Sequence, residues 1–123
     1  MKTLLSLITL SAFFMIASAL PALAGSKESA LSWQKQAIDT RVIVASVIGE
    51  LDKTGDKGND AAKDLIADAK MWMEKADEIF SKADGEMGKK DFEKAGSNYN
   101  MAWQYLVKSA TAALNAKSIL GGS

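Results

Sequence analysis

The stretch AAKDLIADAKMWMEKADEIFSKA, residues 61–83, decides the fold of this 123-residue chain. Its apolar residues recur at steps of three and four, and aspartate and lysine fill the positions between them. This period matches an α-helix with one apolar and one charged face. The apolar positions are Ala62, Leu65, Ile66, Ala69, Trp72, Met73, Ala76, Ile79, Phe80 and Ala83. The pattern predicts a long amphipathic helix over residues 60–84.

Turn residues lie on both sides of this helix. The preceding loop, residues 53–59, contains two glycines with Asp and Asn, which are typical turn residues. Asn59 or Asp60 is expected to cap the helix, because a short side-chain oxygen accepts a hydrogen bond from an amide of the first turn. The segment DGEMG, residues 84–88, is expected to end the helix.

A second amphipathic stretch follows this turn and predicts a helix over residues 91–118. Its apolar stripe consists of Phe92, Ala95, Tyr99, Ala102, Trp103, Leu106, Ala110, Ala113 and Leu114. Two helices joined by a short glycine-containing turn form an antiparallel hairpin. A turn centred on residues 87–88 places Ala69 opposite Leu106 and Trp72 near Trp103.

The segment before the hairpin, residues 29–52, predicts the first helix of the domain. Its apolar residues at three- and four-residue steps are Leu31, Ile38, Val42, Ala45, Ile48 and Leu51. Residues 41–48 are rich in β-branched side chains and also fit a buried strand, but the polar flanks favour a helix. We expect this helix to cover the apolar seam of the hairpin, which gives an all-α, up-down-up three-helix bundle. If it packs poorly, the hairpin would close its core by dimerising.

The first 24 residues have the pattern of a secretory signal peptide. A basic start precedes the apolar run 4–20, and Pro21 precedes a small-x-small cleavage site that ends at Ala24. The alternative is an uncleaved membrane anchor, because this apolar run is near the lower limit of the about 17–25 residues that a membrane span needs. Cleavage after Ala24 would leave residues 25–123 as a single periplasmic or secreted domain with no stable membrane insertion.

Composition excludes several functional classes. The chain has 15 basic and 15 acidic residues, and loss of Lys2 with the leader leaves 14 against 15, a net charge of −1. Such a chain lacks the basic excess that drives nucleic-acid binding. It has no histidine and no cysteine, so most nucleophile–base pairs and the commonest zinc ligands are missing. We predict a non-enzymatic protein without a required cofactor, stabilised by apolar packing rather than disulfides.

The segment KDFEKAGSNYNMA, residues 90–102, resembles the second helix of a tetratricopeptide repeat. In that family, helical hairpins of this kind stack and form a groove for a peptide or protein. The resemblance implies a tight hairpin in which Ala95 and Ala102 are small helix contacts. It also implies that Phe92 and Tyr99 act as wedges between helices.

The loop before the second helix resembles a calcium-binding loop in the spacing of its oxygen ligands. The alternating residues are Asp52, Thr54, Asp56 and Asp60. This spacing is similar to that of an EF-hand loop. Lys57 stands where that motif has glycine, and Lys63 stands where it has the closing acid. A calcium carrier is therefore an alternative function, and an ordinary polar linker explains the same residues.

The predicted solvent side of the third helix is almost uncharged. Its amide and hydroxyl residues are Asn98, Asn100, Gln104, Ser109, Thr111, Asn115 and Ser118, with Tyr105 and Lys108 among them. Burying such a face desolvates little charge, and an aromatic residue can anchor a partner. Trp33 lies off the stripe of its own helix and is a further contact candidate.

These residues predict a protein that acts by protein–protein contact or by self-association. The candidate interaction surface consists of Asn98, Gln104, Tyr105, Lys108 and Trp33. The alternatives are an ordinary solvated helix surface and a carrier that holds an apolar molecule between helices near Trp72 and Trp103.

Overall fold

The computed structural model describes residues 26–121, and all three predicted helices are present in that range. They are α1 (Ser26–Thr54), α2 (Asp60–Gly88) and α3 (Phe92–Gly121). No strand occurs among these residues, so the all-α class is confirmed and residues 41–48 are helical. None of the three helices is long and apolar enough to cross a bilayer. The predicted leader and its cleavage site after Ala24 lie outside the described residues.

The loop between α1 and α2 uses the predicted turn chemistry. Gly55, with φ of 73°, follows the last residue of α1, and its N–H donates to the Leu51 carbonyl at 2.8 Å. Asn59 then caps α2, because its Oδ1 accepts a hydrogen bond from the Ala62 N–H at 2.9 Å. The prediction of a cap at this position is confirmed.

The end of α2 differs from the prediction, because the helix continues through Gly88. Lys90 adopts a left-handed conformation, with φ of 63°. Its N–H donates to the Met87 carbonyl at 3.0 Å, and the Asp91 N–H donates to the Glu86 carbonyl at 2.9 Å. These two bonds form a Schellman motif, here with lysine at the position that glycine usually occupies.

The later turn displaces the register of the hairpin from the predicted one. The Ser109 hydroxyl donates to the Ala69 carbonyl at 2.6 Å, so Ser109 lies opposite Ala69 instead of Leu106. Trp72 stacks on Tyr105 with ring centroids 5.5 Å apart. Both shifts follow from a turn centred near Lys89 rather than on residues 87–88.

Small residues at seven-residue intervals form the seam between α2 and α3, which we call the alanine seam. Its members, each at most 1% exposed, are Ala62, Ala69, Ala76 and Ala83 on α2, and Ala95, Ala102, Ser109 and Ala116 on α3. A seven-residue period keeps one face of each helix against its partner. The small side chains let the backbones approach closely, as the bond from Ser109 to a main-chain carbonyl requires.

Helix α1 packs mainly along α3 and parallel to it, which completes the up-down-up arrangement. Its buried apolar residues are Ala30, Ala37, Val44, Ile48 and Leu51. A Cβ atom added to Gly96 would lie 3.4 Å from the Ala30 Cα, so the two helices are in close contact there. Ion pairs join α1 to α2, from Arg41 to Asp77 and from Asp52 to Lys70, both at 2.7 Å.

The predicted buried stripe of α1 is wrong over its first half. Leu31, Ile38 and Val42 are 46%, 47% and 66% exposed. The neighbouring face, with Ala30 and Ala37, is fully buried instead. Close approach to α3 admits small side chains, so α1 presents its alanines to α3 and turns the larger residues outward.

Candidate functional site

Five polar residues, four of them exposed and Asn100 half-buried, form a stripe along α3 that we call the outer face. They are Asn100, Gln104, Thr111, Asn115 and Ser118. Gln104 Nε2 donates to Asn100 Oδ1 at 3.0 Å, and the Thr111 hydroxyl donates to the Val107 carbonyl at 2.9 Å. The outer face therefore offers amide and hydroxyl groups, and the exposed Lys108, between Gln104 and Thr111 along the helix, adds a positive charge at its α2 edge. This arrangement suits binding by hydrogen bonds.

Two residues predicted for this surface lie elsewhere. Ser109 is fully buried against α2, where its hydroxyl is satisfied by Ala69. Asn98 is half-buried at the edge of α2, and its amide donates to the Glu86 carboxylate. Both assignments are corrected because the hairpin register turns this side of α3 toward α2.

An aromatic pair borders the outer face on the α2 side. Tyr105 and Trp72 are both half-buried and stack with 26° between their planes. The Lys108 ammonium lies 4.5 Å from the centroid of the Trp72 ring, and the Lys75 ammonium lies 5.5 Å from it. Ammonium groups at these distances are attracted to the ring faces. The pair therefore presents ordered rings beside positive charge, which is chemistry typical of interface anchors.

A second aromatic pair borders the outer face on the α1 side. Trp33 packs against Trp103 with ring centroids 5.3 Å apart. The sequence pattern predicts Trp103 near Trp72, whereas Trp103 contacts Trp33 of α1. Trp33 also lines a shallow groove of about 310 Å³ with Ser97 and Asn100, so it lies at the edge of the outer face.

Tyr99 joins all three helices beneath this surface. Its side chain is fully buried, its hydroxyl donates to the Asp84 carboxylate, and Gln34 Nε2 donates to the same hydroxyl at 2.9 Å. Burial and the bond to Asp84 raise the pKa of Tyr99 above its ordinary value. The tetratricopeptide resemblance implies Tyr99 as a wedge, but Gln34 and Asp84 carry no sequence signal of their roles, because these depend on the helix register.

An apolar groove lies between α1 and α2, on the opposite side of α3 from the outer face. Its volume is about 330 Å³, and its lining includes Ile38, Val42, Phe80 and Leu106. Arg41 bridges its rim with two hydrogen bonds to Asp77, at 2.7 and 2.9 Å. This groove is an apolar space distinct from the predicted ligand position near Trp72 and Trp103.

Two of the predicted calcium ligands, Asp52 and Asp56, are engaged in other interactions. Asp52 pairs with Lys70, and Asp56 Oδ1 accepts a hydrogen bond from the Gly58 N–H at 2.8 Å. Thr54 is the last residue of α1, and Asp60 is the first of α2. Within residues 26–121, no three acidic side chains lie close enough together to hold a metal ion.

Millimolar calcium is expected to leave the melting temperature unchanged, because no three acidic side chains of residues 26–121 lie close enough together to hold the ion. Differential scanning calorimetry with and without calcium, with magnesium as the control, checks this expectation. A rise that is specific to calcium and that Asp56→Ala removes would contradict it and support the carrier alternative.

Comparison with known proteins finds no family model that matches this sequence, and no curated protein or solved structure that is significantly similar.

Proposed function

We propose that this protein is a small, exported, non-enzymatic helical protein that acts by protein–protein contact through the outer face of α3. The supporting observation is the combination on one surface of an uncharged exposed stripe and two ordered aromatic pairs. Trp33 and Trp103 flank the stripe on one side, and Trp72 and Tyr105 flank it on the other.

The contrast with α2 explains why this face suits a partner. The exposed charged residues of α2 include Lys63, Asp64, Asp68, Lys70, Glu74 and Glu78. Covering such a surface would remove many charges from water, which is costly unless each is paired. The outer face of α3 carries amides and hydroxyls that exchange water for partner hydrogen bonds at smaller cost.

The partner chemistry follows from the groups at the edges of this surface. Lys108 and Lys75 place positive charge beside the rings of Trp72 and Tyr105. A partner with hydrogen-bonding groups at its centre and acidic groups at the matching edge complements this arrangement. The leader pattern in residues 1–24 supports an exported location, so the partner is sought among periplasmic or secreted proteins.

Gln104→Glu is expected to lower co-purification of the partner at least tenfold, because it places a carboxylate within the uncharged stripe. The measurement compares tagged wild-type and variant proteins, recovered from the exported fraction of the host, by quantitative mass spectrometry. A tenfold loss corresponds to about 1.4 kcal/mol of binding free energy.

The matched control is Ala67→Glu, which adds one carboxylate at an exposed position of α2. This variant is expected to retain the partner at the wild-type level. Equal recovery with Gln104→Glu and Ala67→Glu would contradict the assignment of the outer face, provided that circular dichroism shows both variants folded.

A further inference from the structure

One face of α1 carries exposed apolar residues, and their spacing is regular. The α1 stripe, as we call it, combines the exposed apolar Leu31, Ile38 and Val42 with the exposed Lys35 and the half-buried Ala45 and Gly49. Its steps alternate strictly between four and three residues, which is the pattern of a coiled-coil seam. Val42, at 66%, is the most exposed large apolar residue described in the chain. The stripe therefore has the pattern of a helix contact but lies on the solvent side of α1.

The stripe is symmetric about Thr40. Two copies of α1 related by a two-fold axis and running antiparallel would place each residue opposite the one equally far beyond Thr40. Ile38 then faces Val42 of a second copy, and Leu31 faces Gly49. A Cβ atom added to Gly49 would meet no atom within 4 Å, so there is open space there for a leucine side chain.

The polar members of this face are compatible with the same alignment. Lys35 lies opposite Ala45 of the second copy, whose small side chain leaves room for the lysine stem. Glu28 and Lys53, both exposed, lie at the two ends of α1. The alignment brings Glu28 within one residue of Lys53 of the second copy, and the two-fold axis repeats this opposite-charge pair.

We infer that a second copy of this chain binds the α1 stripe in an antiparallel α1–α1 contact centred on Thr40. This contact goes beyond the proposed function, because it uses a face of α1 and leaves the outer face of α3 to a different partner. It also covers one rim of the apolar groove, which Ile38 and Val42 line.

The size of the surface predicts a weak dimer. A contact strip along 29 residues of helix is about 40 Å long and about 10 Å wide. Its area of about 400 Å² per copy is half of the roughly 800 Å² that a standard interface buries on each partner. The dimer is therefore expected to form and dissociate as protein concentration changes.

Cysteine cross-linking tests the alignment directly, because the natural chain contains no cysteine. Leu31→Cys and Gly49→Cys are made as separate proteins, mixed in equal amounts and oxidised. In the inferred dimer, Leu31 of one copy faces Gly49 of the other, whereas identical positions lie about 27 Å apart along the axis. A disulfide requires Cα atoms within about 7 Å.

We expect a cross-linked dimer in the mixture and at least fivefold less in either protein alone. Cross-linking within a single variant at the level of the mixture would contradict the antiparallel alignment. The three samples are tested at protein concentrations up to about 1 mM, at which a weak dimer is populated. The absence of cross-linking in all three would overturn the inference.

Sedimentation of variants without cysteine gives a second, independent measurement. Val42→Glu is expected to raise the dissociation constant of the dimer at least tenfold, because each copy would place a glutamate within the α1–α1 contact. The matched control is Ile43→Glu, which changes an adjacent exposed apolar residue, 39% exposed, that lies off the stripe. Equal dimerisation of these two variants would overturn the inference. Loss of dimerisation with Gln104→Glu alone would also overturn it, because self-association would then use the outer face of α3.

Discussion

Replacing Tyr99 with alanine is expected to lower the free energy of unfolding by about 3–5 kcal/mol, the range found for removing a large buried ring. The ring is fully buried and lies 5.0 Å, centroid to centroid, from that of Phe80. Its hydroxyl also joins Gln34 of α1 to Asp84 of α2. The loss would be a large part of the 5–15 kcal/mol that a domain of this kind has in total. Urea denaturation followed by circular dichroism measures it.

Two control variants separate the ring from the hydroxyl. Tyr99→Phe keeps the ring and removes the bonds to Gln34 and Asp84, for an expected loss of about 1 kcal/mol. Tyr105→Ala removes a half-buried tyrosine from the same helix and should cost less than Tyr99→Ala. If Tyr99→Ala and Tyr99→Phe lose the same free energy, the ring does not carry the packing assigned to it.

The hydroxyl of Tyr99 also gives a pH dependence with a defined sign. Its pKa in the native state is raised, so the folded protein keeps this proton at a pH where the unfolded chain has lost it. The wild type should therefore lose stability as the pH rises above about 10, the ordinary pKa of tyrosine. Tyr99→Phe has no hydroxyl to titrate at this position, so its free energy of unfolding should decline less over the same pH range. Urea denaturation at a series of pH values measures the difference.

Ala69→Leu is expected to destabilise the protein by about 1–3 kcal/mol, because the alanine seam has no room for a larger side chain. Ala69 is fully buried, and its carbonyl accepts the Ser109 hydroxyl bond at 2.6 Å. A leucine at this position would force α2 and α3 apart and lengthen that bond. Chemical denaturation of the variant and the wild type measures the difference.

The control for this substitution is Ala67→Leu, two residues earlier on the exposed side of α2. Both changes replace alanine by leucine within one helix, so their helix propensities match. The exposed change should stay within about 0.5 kcal/mol of the wild type. A loss for Ala69→Leu that is no larger than this would show that the hairpin can open at the seam without cost.

Local sequence patterns predict the three helices well, but they do not determine how the helices face one another. The cap at Asn59 was predicted because it depends on one side chain and its own helix. The end of α2 was not, because glycine normally marks a helix end, whereas the left-handed residue here is Lys90. That difference moved the turn, and the turn moved the register of the whole hairpin.

The same limit applies to α1 and to the candidate site. Two neighbouring faces of α1 are apolar, and packing against α3, close at Gly96, buries the alanine side instead of Leu31 and Val42. Most of the outer face was identified from its lack of charge. Ser109 was misplaced because its burial depends on which residue of α2 lies opposite.

The seven-residue spacing of the alanine seam also limits the insertions and deletions that the hairpin can accept. An insertion or deletion of one residue rotates everything beyond it by about 100° around the helix axis, which carries small side chains out of the seam. Seven residues are close to two full turns, so a change of seven in both arms returns small residues to the seam. The packing of the hairpin is therefore compatible with insertion or deletion of seven residues in each of its two helices. Replacing a residue of the alanine seam by a larger one is not compatible with it, because there is almost no room for the added atoms.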